Sequence, residues 1–239
     1  MTNIPHTAMV LAAGLGTRMR PLTNRKPKPL IRVSGHALID YALDRFAAAG
    51  VTRTVVNVHY LADQIEQHLT SRDLPEIIIA DEREELLETG GGLKNALSLL
   101  GDEPIFCTNT DAILMDPAGE EACALLREHW DPDLMDALLL LVPIDETSGY
   151  GGEGDFHLDA DNKIRFRSEG RAPFVFTGLQ IISTDLIKTG PEGAFSTKHL
   201  WEHARQQGRL SGVVHNGYWM HVGDRDGLNR AEKLLQESA

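Results

Sequence analysis

Near the start of the chain a short apolar run, Ala8-Met9-Val10-Leu11, leads straight into Ala12-Ala13-Gly14-Leu15-Gly16-Thr17-Arg18-Met19-Arg20-Pro21. An apolar run this short, closed by glycine, reads as a buried strand. Two glycines two residues apart let the backbone turn sharply and bring its amides close to a ligand. Arg18 and Arg20 follow at once. Strand, glycine loop and fixed cations together make a workable cradle for a polyphosphate. Two well-known cradles are excluded. The dinucleotide fingerprint G-x-G-x-x-G fails at Met19, and no G-x-x-x-x-G-K-[ST] is present. Taken alone, the loop reads equally well as an ordinary tight turn between strand and helix.

Lys26-Pro27-Lys28-Pro29-Leu30 alters that balance. The prolines stiffen an extended segment and disfavour helix in the residues before them. A lysine held there cannot retreat easily into solvent, so Arg18 and Lys28 are placed to face one phosphate chain from two sides. Leu11 to Leu22 followed by Pro27-Lys28-Pro29-Leu30 resembles the paired signature of the sugar-1-phosphate nucleotidyltransferases. The resemblance implies that the loop, with Leu11, Ala12, Ala13, Gly14, Gly16 and Thr17, wraps a nucleoside triphosphate. It also implies that Arg18 and Lys28 are the catalytic cations.

Composition is consistent with this. Lys+Arg 23 against Asp+Glu 35 gives a net charge of −12, which argues against a nucleic-acid partner. No apolar run is long enough to cross a bilayer, and no signal peptide opens the chain. Cys107 and Cys123 show no zinc spacing and read as free thiols. A cytoplasmic protein without membrane partners is expected.

Apolar runs alternate with helical patterns. Strands are expected at 54–58, 76–80, 104–107 and 136–143, and helices at 37–49, 61–69 and 118–130. That order predicts helices on both faces of a mostly parallel sheet. The expected fold is a Rossmann-like three-layer α/β/α nucleotidyltransferase domain over residues 1–239. Residues 1–115 form its nucleotide half and 116–239 its sugar-phosphate half. The second half is richer in strands, with a hairpin expected around Asp161-Asn162 and a long strand at 174–182. Helices are expected at 195–207 and 228–237. No hexapeptide repeat follows, so repeat-driven trimerisation is not expected and a monomer is.

Leu87-Glu88-Thr89-Gly90-Gly91-Gly92 places three glycines at a helix start, where bare amides face outward. It resembles the L-E-T-G-G-G stretch of the bacterial N-acetylmuramate-1-phosphate uridylyltransferases. The resemblance implies UTP as the nucleotide, with Thr89, Gly90, Gly91 and Asn109 contacting it. A carboxylate of the acidic stretch Asp81–Glu85, with Glu82 the candidate, is placed to accept the uracil N3–H, although it would equally accept guanine donors. Asp111 ends a strand, the usual place for a ligand in an open α/β sheet, and the resemblance makes it the ligand of Mg²⁺. As a turn or cap residue it would also be unremarkable.

For the sugar phosphate, which the resemblance implies is N-acetylmuramate 1-phosphate, the candidates are Tyr150, Gly151, Glu169, Arg171, Thr177 and Gly178. Glycine inside the 174–182 strand marks a close approach. Arg171 stands where relatives carry a lysine. Tyr218-Trp219-Met220-His221-Val222-Gly223 resembles W-x-D-V-G, whose aspartate is the second metal ligand, but the chain has His221 there. Histidine suits Mn²⁺ and other transition metals better than Mg²⁺. Three readings stay open: His221 binds metal, His221 contacts phosphate, or the activity is lost. Rival functions are guanylyl transfer to mannose 1-phosphate, thymidylyl transfer to glucose 1-phosphate, and nucleotide sensing without catalysis.

Overall fold

The computed structural model describes residues 4–237. Hydrophobic alternation in the strands feeds two apolar layers, one on each face of a single sheet. Ala8 and Val10 look to one face, where Ile39, Leu43, Phe46, Ile65 and Leu126 cover them from the helices Leu38–Ala48, Ala62–Leu69 and Ala122–His129. Met9 and Val55 look to the other, under Leu93, Leu186, Leu200 and Trp201. A short strand buried on both faces has to be apolar throughout, and Ala137–Pro143 is, with six of its residues buried.

In the sheet the strands Glu76–Asp81, Arg53–Val58, Thr7–Leu11 and Ile105–Asn109 lie side by side and parallel. Phe174–Ile182 then enters antiparallel to Ile105–Asn109 and also pairs antiparallel with Ala137–Pro143, beyond which Leu210–Val214 is parallel. The sheet is therefore mixed. Parallelism is confined to the nucleotide half and to the far edge. The hairpin Phe156–Leu158/Ile164–Phe166 forms as expected around Asp161-Asn162 and joins the same sheet through Phe156 opposite Phe174. Phe174–Ile182 carries a bulge between Phe176 and Gln180, where Gly178 adopts φ +95°. That angle favours glycine, and the bulge turns the strand towards the cleft. Cys107 and Cys123 are free and buried, and burial pushes both thiols up to about 12.

A small second sheet pairs Ala112–Met115 antiparallel with Tyr218–His221. Beneath it, His215 is fully buried and its Nε2 lies 3.0 Å from Asp116, which also accepts from Arg45. The Gly217 amide donates to His215 Nδ1, leaving Nε2 for the carboxylate. Burial pushes the Asp116 carboxyl up, but His215 and Arg45 outweigh it and hold the group below the ordinary carboxylate value. A depressed folded-state pKa contributes stability above the unfolded value, near 3.9, that is lost as pH falls through the folded one. Asp116→Asn is expected to cost about 2 kcal/mol at neutral pH, since it leaves buried His215 and half-buried Arg45 without their anion. In urea titrations the deficit should hold down to about pH 5 and close below about pH 4. A deficit that grows in acid would refute the pairing.

Candidate active site

The glycine loop and the proline-stiffened lysine meet face to face. Gly16 adopts φ +62°, and a Cβ placed on it would lie 3.0 Å from the Cβ of Lys28. The two segments are thus in contact through a glycine that tolerates both the angle and the approach. Pro27 is extended, and Lys28 opens a single 3₁₀ turn, Lys28–Leu30. The lysine stem is buried, and its Nζ lies 3.3 Å from Asp111 Oδ2.

Asp111 is placed by two strands at once. It follows Ile105–Asn109, and its carbonyl accepts from the Val222 amide, while Ala112 pairs with His221. The register brings His221 Nε2 to 3.6 Å from the same carboxylate oxygen. The His221 ring stacks on Trp219, at 5.6 Å between centroids and 7° between planes. Burial pushes the Asp111 carboxyl up. His221 and Lys28 outweigh it and hold the group well below the usual carboxylate range. Burial lowers Lys28, with Asp111 opposing. Asp111 is therefore an anion flanked by two nitrogen bases.

Lys28 and Asp111 face a cleft of about 500 Å³. Leu11, Ala12, Ala13, Gly14, Gly16, Thr17, Arg18, Lys28, Thr89, Asn109 and Asp111 all line it. A second cavity of about 560 Å³ adjoins it and shares Leu11, Thr89, Asn109 and Ser196. Gly178 lines the second, beside Asn109.

The remaining candidates sit elsewhere. The bare amides expected at Gly90 and Gly91 are not bare: both donate to the carbonyl of Phe195, at 2.8 and 3.0 Å. Both glycines are buried, and a Cβ on Gly90 would meet the Phe195 ring at 2.4 Å. They allow close packing against residues 193–195 and do not reach the cleft wall. Thr89 lines both cavities, and its Oγ1 accepts from Thr197. Glu82 is buried behind the cleft, where its Oε1 accepts from Asn57 Nδ2 at 2.9 Å. Asn57 in turn accepts the Ala12 amide at 2.7 Å. Glu82 therefore braces the glycine loop from behind and presents no carboxylate to a base.

Thr177 is likewise buried. Its hydroxyl donates to Leu140 and accepts from Leu179, fixing the bulge. Tyr150 donates to Asp155 and packs edge-on against Trp219; burial, with Asp155 adding to it, pushes its phenol up to about 12. Neither Tyr150 nor Gly151 lines either cavity. Glu169 is exposed, and Arg171 is tied to exposed Asp145, away from both cavities. The arginine that does line the second cavity is Arg167.

Sequence reasoning passed over Asn57, Arg167 and Glu88. Asn57 carried a signal, a lone amide in the apolar run Thr54–Val58. Glu88 adopts φ +59°, rare for a non-glycine residue, and lines the first cavity.

The parallel half of a mixed sheet ends in a glycine loop and an ionised aspartate, a buried lysine faces both, and the cleft opens on a second cavity; together they define a phosphate-handling enzyme of two substrates. A family model for nucleotidyl transferases matches residues 7–152, and the chain belongs to that family. Over 243 residues it is 48% identical to an N-acetylmuramate alpha-1-phosphate uridylyltransferase of Caulobacter vibrioides, covering all of both chains. It is 36% identical over 233 residues to the protein of the same name from Neisseria meningitidis, covering 95% of this chain and 97% of that one. In fold it matches the inositol-1-phosphate CTP transferase of T. maritima with a TM-score of 0.80, at 20% identity, over 99% of this chain and 97% of that one. The enzyme is a sugar-1-phosphate nucleotidyltransferase.

Proposed function

We propose that the chain condenses UTP with N-acetylmuramate 1-phosphate to give the UDP-sugar and pyrophosphate. The adjoining cavities carry this reading: one ends on the glycine loop, the other on the Gly178 bulge, and they share a wall at Leu11, Thr89 and Asn109. The names of the Caulobacter and Neisseria relatives supply the two substrates.

In the reaction an oxygen of the sugar phosphate attacks the α-phosphorus of the triphosphate. The bond from that phosphorus to the bridging oxygen breaks, and pyrophosphate leaves with the electron pair. The nucleophile is already an anion, so the protein has chiefly to align two polyanions and offset their charge. Lys28, with its stem packed on Gly16, cannot swing away from the phosphates. Arg18 lines the same cavity and makes no ion pair among the described residues. Asn57 fixes the Ala12 amide, which shapes the loop before a nucleotide arrives.

Asp111 fits a divalent cation. Mg²⁺ typically takes one or two carboxylates and completes its shell with phosphate oxygens and water. Asp111 offers an ionised carboxylate in the cleft wall, and among the described residues no larger cluster of metal-ligating side chains forms. The ion would neutralise phosphate charge there. His221, against the same oxygen, adds a nitrogen donor that suits Mn²⁺ better than Mg²⁺. Accordingly, Mn²⁺ should support turnover at least as well as Mg²⁺, and His221→Asp should shift the preference to Mg²⁺. Initial rates of both proteins in each metal test this; identical preferences would remove His221 from the metal site.

Competition between UTP and GTP at equal concentration, with N-acetylmuramate 1-phosphate as acceptor, tests the reading as a whole. UTP should be consumed faster. Faster use of GTP would refute the uridylyl assignment, and pyrophosphate release with neither would favour a nucleotide-sensing role.

A further inference from the structure

The second cavity has an aromatic wall and charged groups at its rim. Trp201 meets Phe176 edge-on at 4.9 Å and Phe156 at 6.0 Å, and its indole N–H donates to Gln180. This wall suits the apolar face of a sugar ring and an acetyl methyl. The polar groups around it are mostly committed. Asp155 gives one oxygen to the Tyr150 hydroxyl and the other to the Phe176 amide. Glu202 is held by both Arg205 and Gln206.

Arg167 and Lys198 are not committed in this way. The Arg167 guanidinium donates Nε to the Gly154 carbonyl at 2.9 Å and Nη1 to the Gly170 carbonyl at 3.2 Å. Both partners are neutral, so the head is aimed, and among the described residues it makes no ion pair. Lys198 opens the helix Lys198–Gln206 at the same cavity and makes no ion pair among the described residues. The lining holds two cations, Arg167 and Lys198, and two carboxylates, Asp155 and Glu202, and both carboxylates are engaged by other groups. In a chain of net charge −12, two cations without an ion pair at one cavity rim leave a site where an anionic ligand group can be met.

We infer that Arg167 and Lys198 form a carboxylate subsite that selects a sugar acid. The inference rests on the sugar assignment proposed above. N-acetylmuramate differs from N-acetylglucosamine only by an O-lactyl ether, and that ether carries the one carboxylate of the sugar. Its phosphate belongs with Lys28 and Asp111, in the first cavity. A planar guanidinium and an ammonium suit the remaining anion, the guanidinium by its fixed fork and the ammonium as a mobile point charge. Both heads reach solvent at the cavity rim, so each contributes less than a buried pair would.

The experiment compares kcat/KM for N-acetylmuramate 1-phosphate and N-acetylglucosamine 1-phosphate, with UTP saturating. Wild type should favour the muramate. Lys198→Gln should lower the ratio of the two by about tenfold, the worth of one charge-assisted contact near the surface. Arg167→Gln should do the same, and the double variant should bring the ratio near that of a cavity without a carboxylate site. Lys198→Arg, which keeps the charge, should restore most of the selectivity. The loss should appear in KM rather than kcat.

Equal losses on both sugars would mean that these residues grip the shared phosphate or hold up the loop, and would overturn the subsite. A wild type that uses the muramate, with variants keeping its selectivity, overturns the subsite alone. A wild type that ignores the muramate removes the sugar assignment and the subsite together.

Discussion

Replacing Lys28 with alanine is expected to slow turnover by a hundred- to a thousandfold while leaving the fold intact. Removing one preorganised donor from a developing phosphate or oxyanion charge costs about 3–4 kcal/mol in transition-state stabilisation. Lys28 is preorganised in that sense. Its stem is buried against Gly16, its backbone is confined between Pro27 and Pro29, and its Nζ is held 3.3 Å from Asp111. The fold does not depend on the ammonium. Burial disfavours the charge, and Asp111 keeps its second base, His221. Circular dichroism and the thermal midpoint should stay close to wild type as kcat falls. Lys28→Arg should recover little, because a planar guanidinium does not reproduce the compact ammonium beside Asp111. Turnover within a few fold of wild type would show that the phosphates are stabilised elsewhere.

The N-terminal half of the site was legible because its chemistry is local. A glycine loop and a proline-flanked lysine declare their shapes within twenty residues, and the strand before them is apolar for a reason that alternation reveals. The sugar side was less legible because its assignments depend on distant partners. Whether the amides of Gly90 and Gly91 face a ligand or a protein carbonyl is decided by Phe195, a hundred residues downstream. Arg171 and Arg167 look alike in sequence, and only the pairing of the 156–166 hairpin with Phe174 shows which one lines a cavity. Glu82 looked like a base-reading carboxylate since it lies in an acidic stretch. Its burial and its bond to Asn57 follow from the parallel register of Arg53–Val58 with Glu76–Asp81. Asp111 and His221 are brought together by one antiparallel pairing that joins residues 110 apart, so the departure from W-x-D-V-G was visible but its neighbour was not.

That hidden brace makes Gly92→Ala a damaging small change outside the phosphate contacts. Propensity argues the other way. Gly92 lies inside the helix Glu88–Asn95, where alanine is usually better than glycine by about 1 kcal/mol. Packing reverses the sign. A Cβ on Gly92 would lie 2.7 Å from Asn57 Nδ2 and 2.8 Å from Glu82 Oε1. Neither is the loose end of a surface side chain, since Asn57 and Glu82 are both buried and bonded to each other. The methyl must push them apart, which strains the core and strips partners from buried polar groups, at a net cost of about 2–3 kcal/mol. The damage should also reach the site, because Asn57 holds the Ala12 amide at the start of the phosphate loop. Gly92→Ala should therefore lower the thermal midpoint and raise KM for UTP several-fold, with a smaller effect on KM for the sugar phosphate. Asn57→Ala should show the same pair of effects. The double variant should be much less than additive, since either change alone already breaks the one brace. Independent, additive losses would mean that the two residues act separately, and a stabilised Gly92→Ala would mean that helix propensity decides this position after all.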